Sequence, residues 1–287
     1  MLFRSRRWLL WPLSTLAFLG AVLWLIGCIQ YRLNVMDVEE YEPVSSLKVP
    51  QHPLTRARYP FIDVHNHQWL MPVQNLDKLV AEMDELNMAV MVNLSGFRGT
   101  LLEWSLANVH KHQARRFLVF INLNFEKLDE PTWPKEALAQ LEEGVKQGAA
   151  GLKVYKSLGL TDRDKSGKRI AVDDPRLDPI WDKCGELGIP VLIHSAEPSP
   201  FFLPKDKHNE RWLELKQEPD RFRPPERFPP FETIISEQHR MFRKHPKTRF
   251  IDAHLGWLGN DLARLGGLLD ELPNVYTELG AVLAELG

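Results

Sequence analysis

The chain has 287 residues, of which 44% are hydrophobic and 26% are charged, so it carries enough apolar sequence for one sizeable core. Its formal net charge of −2 excludes the global basic field that is typical of nucleic-acid-binding proteins, so a small molecule is the expected partner. Two cysteines exclude a disulfide framework.

The first predicted element is a membrane segment. Arg4, Arg6 and Arg7 precede an uncharged stretch, residues 8–29, which as a helix is long enough to cross about 30 Å of hydrocarbon. Because basic residues precede this stretch and acidic residues follow it, the positive-inside rule predicts a cytoplasmic N-terminus. The rest of the chain would then lie on the extracytoplasmic side, in the periplasm or outside the cell.

A lipoprotein signal is the alternative interpretation of the same segment. Leu25-Ile-Gly-Cys28 resembles the lipobox of bacterial lipoproteins, in which the cysteine is lipidated after signal cleavage. Signal-peptide cores hold about 7 to 15 apolar residues, and this stretch is longer, which favours an uncleaved transmembrane helix. The predicted organisation is an anchor or signal over residues 1–30, a polar tether over residues 31–59, and a globular domain over residues 60–287.

From residue 60 onward, short apolar runs alternate with amphipathic stretches, which indicates repeated βα units around a parallel sheet. Helices are predicted at residues 75–86, 134–145 and 178–187, where apolar residues recur at helical spacing. The predicted strands are residues 61–65, 89–94, 117–123, 151–155, 190–194, 249–254 and 274–278.

This pattern predicts an α/β fold, a (β/α)₈ TIM-type barrel that lacks its eighth strand in this chain. Such barrels run to about 250 residues. The sequence ends inside the helix that should follow the seventh strand, so we expect the natural protein to continue and the chain to be a fragment. A genuine seven-stranded domain, or a strand supplied by another subunit of a homo-oligomer, are the alternatives.

Two insertions interrupt the βα pattern. Residues 156–175 form a charged loop after the fourth strand, and residues 197–231 form a longer loop that is rich in proline, arginine and aromatic residues. Loops longer than about 12 to 15 residues are uncommon unless they bind ligands or cover sites. Because the second insertion follows His194 directly, we predict that it covers the site; a solvated surface excursion is the alternative.

Four histidines occupy strand ends and form the candidate metal site. His65 and His67 close an apolar strand as His-x-His, and alternation along a strand places both rings on one face. His194 and His254 end two further apolar strands. Any one of them alone would suit a buried, hydrogen-bonded imidazole, but together they predict a site for one divalent ion, with zinc as first choice.

Three phrases of the sequence together resemble the amidohydrolase superfamily: Phe61-Ile-Asp-Val-His65-Asn-His67, Val191-Leu-Ile-His194-Ser-Ala-Glu-Pro198 and Phe250-Ile-Asp-Ala-His254-Leu-Gly256. The branch that the chain resembles includes metal-dependent hydrolases and non-hydrolytic decarboxylases of carboxylated acids. The resemblance implies that His65, His67 and His194 bind the metal, and that His254 binds it or polarises substrate or water. It implies hydrolysis of an amide, ester or lactone, with decarboxylation as the alternative.

The resemblance also has a gap. The family carries a metal-binding, proton-transferring aspartate on strand eight, which this chain does not reach, so a catalytically silent, membrane-tethered binding module remains a third alternative. Asp63 and Asp252 are predicted to orient imidazoles. Glu278 is predicted to line the mouth of the barrel, or else to be a capping or solvated carboxylate.

Lys153 lies inside the apolar fourth strand and completes the predicted site. A buried lysine needs an anionic partner, so we predict that it binds a substrate carboxylate and, with His254, takes part in catalysis. Some superfamily members bridge two metals through a carbamylated lysine on this strand, which is a minor alternative.

Overall fold

A computed structural model of the protein describes residues 10–34, 36–50, 52–112 and 115–283, apart from the side chains of residues 10–14 and 32–34. The chain divides into two compact units, of which the first ends at Pro53 and the second begins at Leu54.

The first unit contains one long helix, α1 (Leu10–Asn34), followed by irregular chain over residues 36–50. The predicted membrane segment, residues 8–29, and the arginines before it begin outside the described residues. Within the described part, no helix combines the length and the apolar character that crossing a membrane requires.

The second unit is built on a seven-stranded parallel sheet in which every strand pairs with its neighbour in sequence. All seven predicted strands are confirmed, with ends that differ by at most two residues. Their bounds are β1 (Phe61–Asn66), β2 (Met88–Asn93), β3 (Phe117–Asn122), β4 (Gly151–Val154), β5 (Val191–Ile193), β6 (Phe250–Asp252) and β7 (Val275–Thr277).

The helices of this unit lie in the connections between strands. The three predicted helices correspond to α2, α4 and α6. The bounds are α2 (Leu76–Leu86), α3 (Thr100–His112), α4 (Trp133–Gln147), the single turn α5 (Ser157–Leu160), α6 (Asp178–Leu187), α7 (Trp212–Gln217), α8 (Phe231–Lys244) and α9 (Leu262–Glu271).

Local sequence signals explain where these helices begin and end. The Asn75 side chain caps α2 by accepting a hydrogen bond from the backbone N–H of Lys78 at 3.1 Å. Helix α6 ends at Gly188, which adopts the left-handed φ of 67° that glycine tolerates best, as the sequence predicts.

The central strands are buried on both faces, which explains their continuous apolar runs. One face packs against the helices through a core that includes Met83, Trp181 and Cys184. The other face forms a smaller inner cluster around Phe120 and Leu192. The Cys184 thiol is buried in the core, and its burial raises its pKa.

The two outer strands differ from the central ones. Ile62 on β1 and Tyr276 on β7 are 57% and 55% exposed, and within the described residues neither strand has a second partner in the sheet. The carboxyl ends of β1 and β7 nevertheless meet, because the His65 ring contacts the Glu278 carboxylate at 2.8 Å. The fold is thus an incomplete TIM-type barrel in the described residues, and the strand predicted beyond them stays a prediction.

Candidate metal centre

The four predicted histidines form one continuous row at the carboxyl ends of the strands. His65 is the last residue but one of β1 and His67 follows the strand, whereas His194 and His254 follow β5 and β6. Neighbouring rings in the row have centroids 5.4 Å apart for His67 and His65, 4.6 Å for His65 and His254, and 4.4 Å for His254 and His194. The sheet therefore brings together side chains that are up to 189 positions apart in the sequence, from His65 to His254.

Glu278, just after β7, joins the two ends of this row. Its carboxylate accepts hydrogen bonds from His65 Nδ1–H at 2.8 Å, from the His254 backbone N–H at 2.8 Å, and from the Gly280 backbone N–H. Burial alone would raise the pKa of Glu278, but these hydrogen bonds lower it to about 2. Glu278 is therefore a buried, ionised carboxylate inside the site, in agreement with its predicted place at the mouth of the barrel and not with the solvated alternative.

The hydrogen bonds assign the proton positions on three rings. Because a carboxylate only accepts, His65 carries its proton on Nδ1 and keeps a lone pair on Nε2. His254 Nδ1–H donates to the Gly280 carbonyl at 2.7 Å, so His254 Nε2 accepts from His194 Nδ1–H at 3.2 Å. His194 Nε2 then has a lone pair and is buried without a partner among the described residues.

Burial keeps the imidazoles of His67, His194 and His254 neutral near pH 7. It lowers the pKa of His67 to about 4, with Lys153 and His65 adding to the effect. Burial likewise lowers the pKa of His254 to about 4, although the hydrogen bond to Gly280 opposes it, and lowers the pKa of His194 well below its usual range. A metal ion needs the neutral form of histidine, so this environment suits binding.

The donor set fits a divalent transition ion. His65, His254 and Glu278 each offer one ligand atom, and these atoms lie within 4.8 Å of one another. Neutral imidazole nitrogens and an ionised carboxylate are the ligand types of catalytic zinc sites. Glu278 can also act one step away from the ion, because a carboxylate that holds a histidine Nδ1–H fixes the ring for binding through Nε2.

His67 stands at the aromatic end of the row. Its Nδ1 lies 2.7 Å from the Ser95 hydroxyl, and its ring stacks on Trp69 at 5.6 Å and on Tyr155 at 5.9 Å. The Tyr155 hydroxyl donates to the Leu94 carbonyl at 3.1 Å, which fixes this ring. Sequence reasoning missed Trp69 and Tyr155, although both lie within two residues of predicted site residues.

Lys153, which belongs to β4, lies beside the histidine row. Its Nζ is 3.5 Å from His65 Nε2, and the residue is only 1% exposed. Burial lowers the pKa of Lys153 to about 7, and the nearby charge of Glu278 opposes this shift. Lys153 makes no ion pair with the described residues, so an anionic ligand would supply the partner that its burial requires.

The two aspartates do not orient imidazoles in the way that the sequence predicts. Asp63 accepts from the backbone N–H of His65 at 3.0 Å and from the Asn66 amide at 2.8 Å, so it holds the backbone at the end of β1. Asp252 accepts from the Gln238 amide at 2.6 Å, and its second oxygen is buried without a partner in the described chain. Burial raises the pKa of Asp252 to about 8. Glu278 contacts the imidazole instead, because it lies at the same edge.

A left-handed turn follows β6 and shapes the site. His254, Leu255, Gly256 and Trp257 all have φ between 56° and 60°. This conformation costs roughly 1–2 kcal/mol for each residue other than glycine. The turn directs the His254 backbone N–H toward the Glu278 carboxylate. It also places the centroids of the Trp257 and His254 rings 4.7 Å apart.

Two cavities adjoin the row, on different sets of strands. The first, of about 510 Å³, lies over the ends of β1 to β4 and is lined by residues that include Trp69, Phe97, Lys153 and Tyr155. The second, of about 330 Å³, lies over the ends of β5 to β7 and is lined by residues that include His194, His254 and Trp257. We call them the Tyr155 cavity and the Trp257 cavity.

The second insertion forms a wall of the Trp257 cavity, through residues that include Phe201, Arg211 and Arg221. Phe201 is buried, and a salt bridge at 2.7 Å joins Arg223 to Glu197 just after β5. The insertion thus lies against the site, in keeping with the predicted cover.

A family model described as amidohydrolase matches residues 52–285, whereas a search of curated proteins found no match. Similar solved structures include an uncharacterised TIM-barrel protein from Bordetella bronchiseptica, with 18% identity and a TM-score of 0.43 over 71% of this chain and 59% of that one. They also include 2,6-dihydroxybenzoate decarboxylase complexed with 2,6-dihydroxybenzoate, with 20% identity and a TM-score of 0.43 over 67% of this chain and 60% of that one.

A third similar structure is 4-oxalomesaconate hydratase from Rhodopseudomonas palustris, with 16% identity and a TM-score of 0.44 over 71% of this chain and 59% of that one. The chain thus spans about three fifths of the length of each of these three structures.

Proposed function

The chain belongs to the amidohydrolase family, and on that premise we propose that it is a metal-dependent hydrolase that adds water across an amide, ester or lactone of a small molecule. The observation that carries this proposal is the row of four imidazoles joined by Glu278 and flanked by Lys153. This arrangement brings imidazole nitrogens, the ionised carboxylate of Glu278 and the amine of Lys153 close together.

His65, His254 and Glu278, whose ligand atoms lie within 4.8 Å of one another, would hold the ion together with the predicted ligands His67 and His194, and zinc is the ion that we propose. When bound, a divalent ion supplies Lewis acidity, which activates water and polarises a carbonyl group. Glu278 keeps the proton of His65 on Nδ1, and the Gly280 carbonyl does the same for His254. These contacts orient both rings before substrate arrives.

Lys153 would bind a negatively charged group of the substrate. A carboxylate beside Nζ favours the ammonium form and so opposes the effect of burial on its pKa. The stacked rings of Trp69 and Tyr155 would hold a planar part of the same molecule and exclude water from it.

Decarboxylation of a carboxylated acid is the second candidate, and the Tyr155 cavity supports it, because Lys153 and aromatic rings line one space. Product analysis in ¹⁸O-labelled water separates the two reactions. Hydrolysis places one labelled oxygen in the acyl product, whereas decarboxylation releases carbon dioxide and leaves the remaining product unlabelled.

We also propose that the chain is held at a membrane, with the barrel on the extracytoplasmic side. The uncharged stretch at residues 8–29, with arginines before it, supports this proposal. Carbonate extraction of membranes tests it: a chain that pellets with the membranes supports a tether, and a chain that is released would refute it. Labelled palmitate then separates the two kinds of tether: label in the parent chain but not in Cys28→Ala supports the lipoprotein, and no label in either chain supports the uncleaved anchor.

Metal analysis of the full chain tests the site itself. We expect roughly one zinc or similar ion per chain, and loss of that ion in His65→Ala and His67→Ala. His239→Ala serves as the matched control, because His239 lies on α8, outside the histidine row. A folded chain that binds no metal would refute the hydrolase. A chain that binds metal but turns over no amide, lactone, ester or carboxylated acid would favour the silent binding module.

A further inference from the structure

The presence of two cavities, rather than one, carries information about the substrate. The Tyr155 cavity reaches the row through Lys153, which lies 3.5 Å from His65 Nε2, and the Trp257 cavity reaches it through His194 and His254. The two cavities are separated at the end of β4. Tyr155, the residue after this strand, lines the first cavity, and the next residue, Lys156, lines the second. A molecule at the row can therefore extend in two directions.

The chemistry of the Tyr155 cavity suits a planar group. Trp69 stacks on Tyr155 with centroids 6.2 Å apart and a 15° angle between the ring planes, and Phe97 meets Trp69 edge-on at 6.0 Å. Flat aromatic walls favour an aromatic or conjugated ligand. Two cations and two carboxylates line this cavity and balance one another, namely Arg98, Lys153, Glu126 and Asp162.

The Trp257 cavity has a different character, because positive charge is in excess there. The excess lies around Glu197, a single carboxylate that two cations share, so this group carries one net positive charge; Lys156 and Glu197 of the group line the cavity. Glu197 pairs with Lys156 at 2.6 Å and with Arg223 at 2.7 Å. A ligand with one negative charge would reduce this excess.

Trp257 supplies a second, independent indication of a ligand. Its indole Nε1–H is buried and has no acceptor among the described residues, although the residue lines the cavity. The indole N–H can only donate, and a buried donor without an acceptor carries a free-energy cost. An acceptor oxygen of a bound molecule would remove that cost.

We propose that the substrate is an amide or ester that joins a planar, unsaturated fragment, held in the Tyr155 cavity, to an anionic fragment, held in the Trp257 cavity. This proposal rests on the proposed hydrolase function and specifies its substrate class. In the reaction, water is the co-reactant: its oxygen bonds to the acyl carbon as the C–N or C–O bond breaks. Its protons go to the leaving nitrogen or oxygen and to solvent. Two fragments leave, which is why two cavities are useful to a hydrolase, whereas a decarboxylase releases only carbon dioxide as its second product.

Two probe pairs test both orientations of the bond. N-benzoylglycine and its neutral amide place the charge on the amine side, and N-phenylsuccinamic acid and its neutral amide place it on the acyl side. For the metal-loaded full chain we expect hydrolysis of the charged member of one pair, with kcat/KM at least about tenfold above the neutral member. Calorimetry with the metal-free chain should show the same preference in Kd.

Variants locate the preference. Lys156→Gln and Trp257→Phe should each reduce the ratio between charged and neutral probes about tenfold, while metal content stays at that of the parent chain. Arg227→Gln is the matched control, since Arg227 belongs to the second insertion, which forms a wall of the Trp257 cavity, but packs its guanidinium on Phe228, 5.7 Å from the ring centroid. It should leave the ratio unchanged.

The outcomes distinguish a failure of the proposed substrate class from a failure of the proposed hydrolase function. Hydrolysis without a charge preference, or with a preference that neither variant alters, would overturn the two-fragment substrate and leave the hydrolase standing. Carbon dioxide release from 2,6-dihydroxybenzoate, with no hydrolysis of any probe, would overturn both. Failure of every probe to bind or react at millimolar concentration would overturn the substrate class.

Discussion

At the scale of single residues, Glu278 is the contact that holds the histidine row together, and its substitution gives a direct test. Glu278→Gln keeps the shape of the side chain but removes the charge that fixes His65 Nδ1–H and accepts the His254 N–H. Loss of a carboxylate of this kind typically lowers metal affinity about 10- to 100-fold. Zinc titration against a competing chelator should show this loss, with Glu85→Gln, on the exposed face of α2, as control. Equal affinity in both variants would contradict the assignment.

The sequence predicted that the four histidines and Lys153 lie close together, because strand ends in a parallel sheet converge on one edge. It did not predict how the carboxylates divide their roles. Asp63, Asp252 and Glu278 all lie near strand ends in sequence, but only the turn after β7 decides which of them reaches an imidazole. Proton positions, too, depend on backbone carbonyls such as that of Gly280, which leave no mark in the sequence.

At the scale of elements, an ion pair fixes the first insertion to the barrel. The Arg169 guanidinium binds both oxygens of Glu237 on α8, at 2.8 and 2.5 Å, and the Glu237 side chain is 7% exposed. Arg169→Ala leaves this carboxylate buried without its cation, which should lower the free energy of unfolding by about 3 kcal/mol. Arg243→Ala breaks a similar two-point pair with Glu271 at 2.6 and 2.8 Å, but this pair is about half exposed. It should cost less than about 1 kcal/mol in urea unfolding. Equal losses of unfolding free energy in the two variants would show that burial does not determine how much such an ion pair stabilises the protein.

The left-handed turn after β6 gives a second element-scale prediction. Gly256 has φ of 60°, and a Cβ there would collide with the Asp252 carboxylate. Gly256→Ala should therefore lower the free energy of unfolding by about 2 kcal/mol or more. Gly267→Ala, on α9, meets nothing within 4 Å and should instead stabilise the protein by about 0.5–1 kcal/mol. Chemical denaturation of the two variants should thus shift the midpoint in opposite directions.

Regular elements were predictable where one local pattern decides them. Buried strands gave continuous apolar runs, and α2 and α6 showed helical spacing with an Asn or Gly at an end. The turn at residues 254–257 was not predictable, because only one of its four residues is a glycine. Its conformation comes from tertiary contacts, including the backbone hydrogen bond from Leu255 N–H to the Glu278 carbonyl.

At the scale of the whole molecule, buried histidines couple the stability of the fold to pH. Burial lowers the pKa of His67, His239 and His254 to about 4, whereas in the unfolded chain histidine titrates near 6.5. Each group therefore contributes stability that is complete above pH 6.5 and is lost as the pH falls toward 4. Asp252 acts in the opposite sense, since burial raises its pKa to about 8 and unfolding releases its proton between pH 3.8 and 8. These three histidines and His194, whose pKa burial also lowers, outweigh one aspartate, so the metal-free protein should lose stability on acidification from pH 6.5 to 5.

His239 allows this coupling to be measured away from the metal centre, because it lies on α8 with its Nε2 buried and unpaired among the described residues. In urea unfolding of the chelator-treated chain, His239→Gln should lower the slope of unfolding free energy against pH by up to one proton, about 1.4 kcal/mol per pH unit. Asp252→Asn should raise the slope by a similar amount, since it removes the opposing group. The two variants thus move the slope in opposite directions, and a slope that neither substitution changes would show that these buried groups do not control the acid stability of the fold.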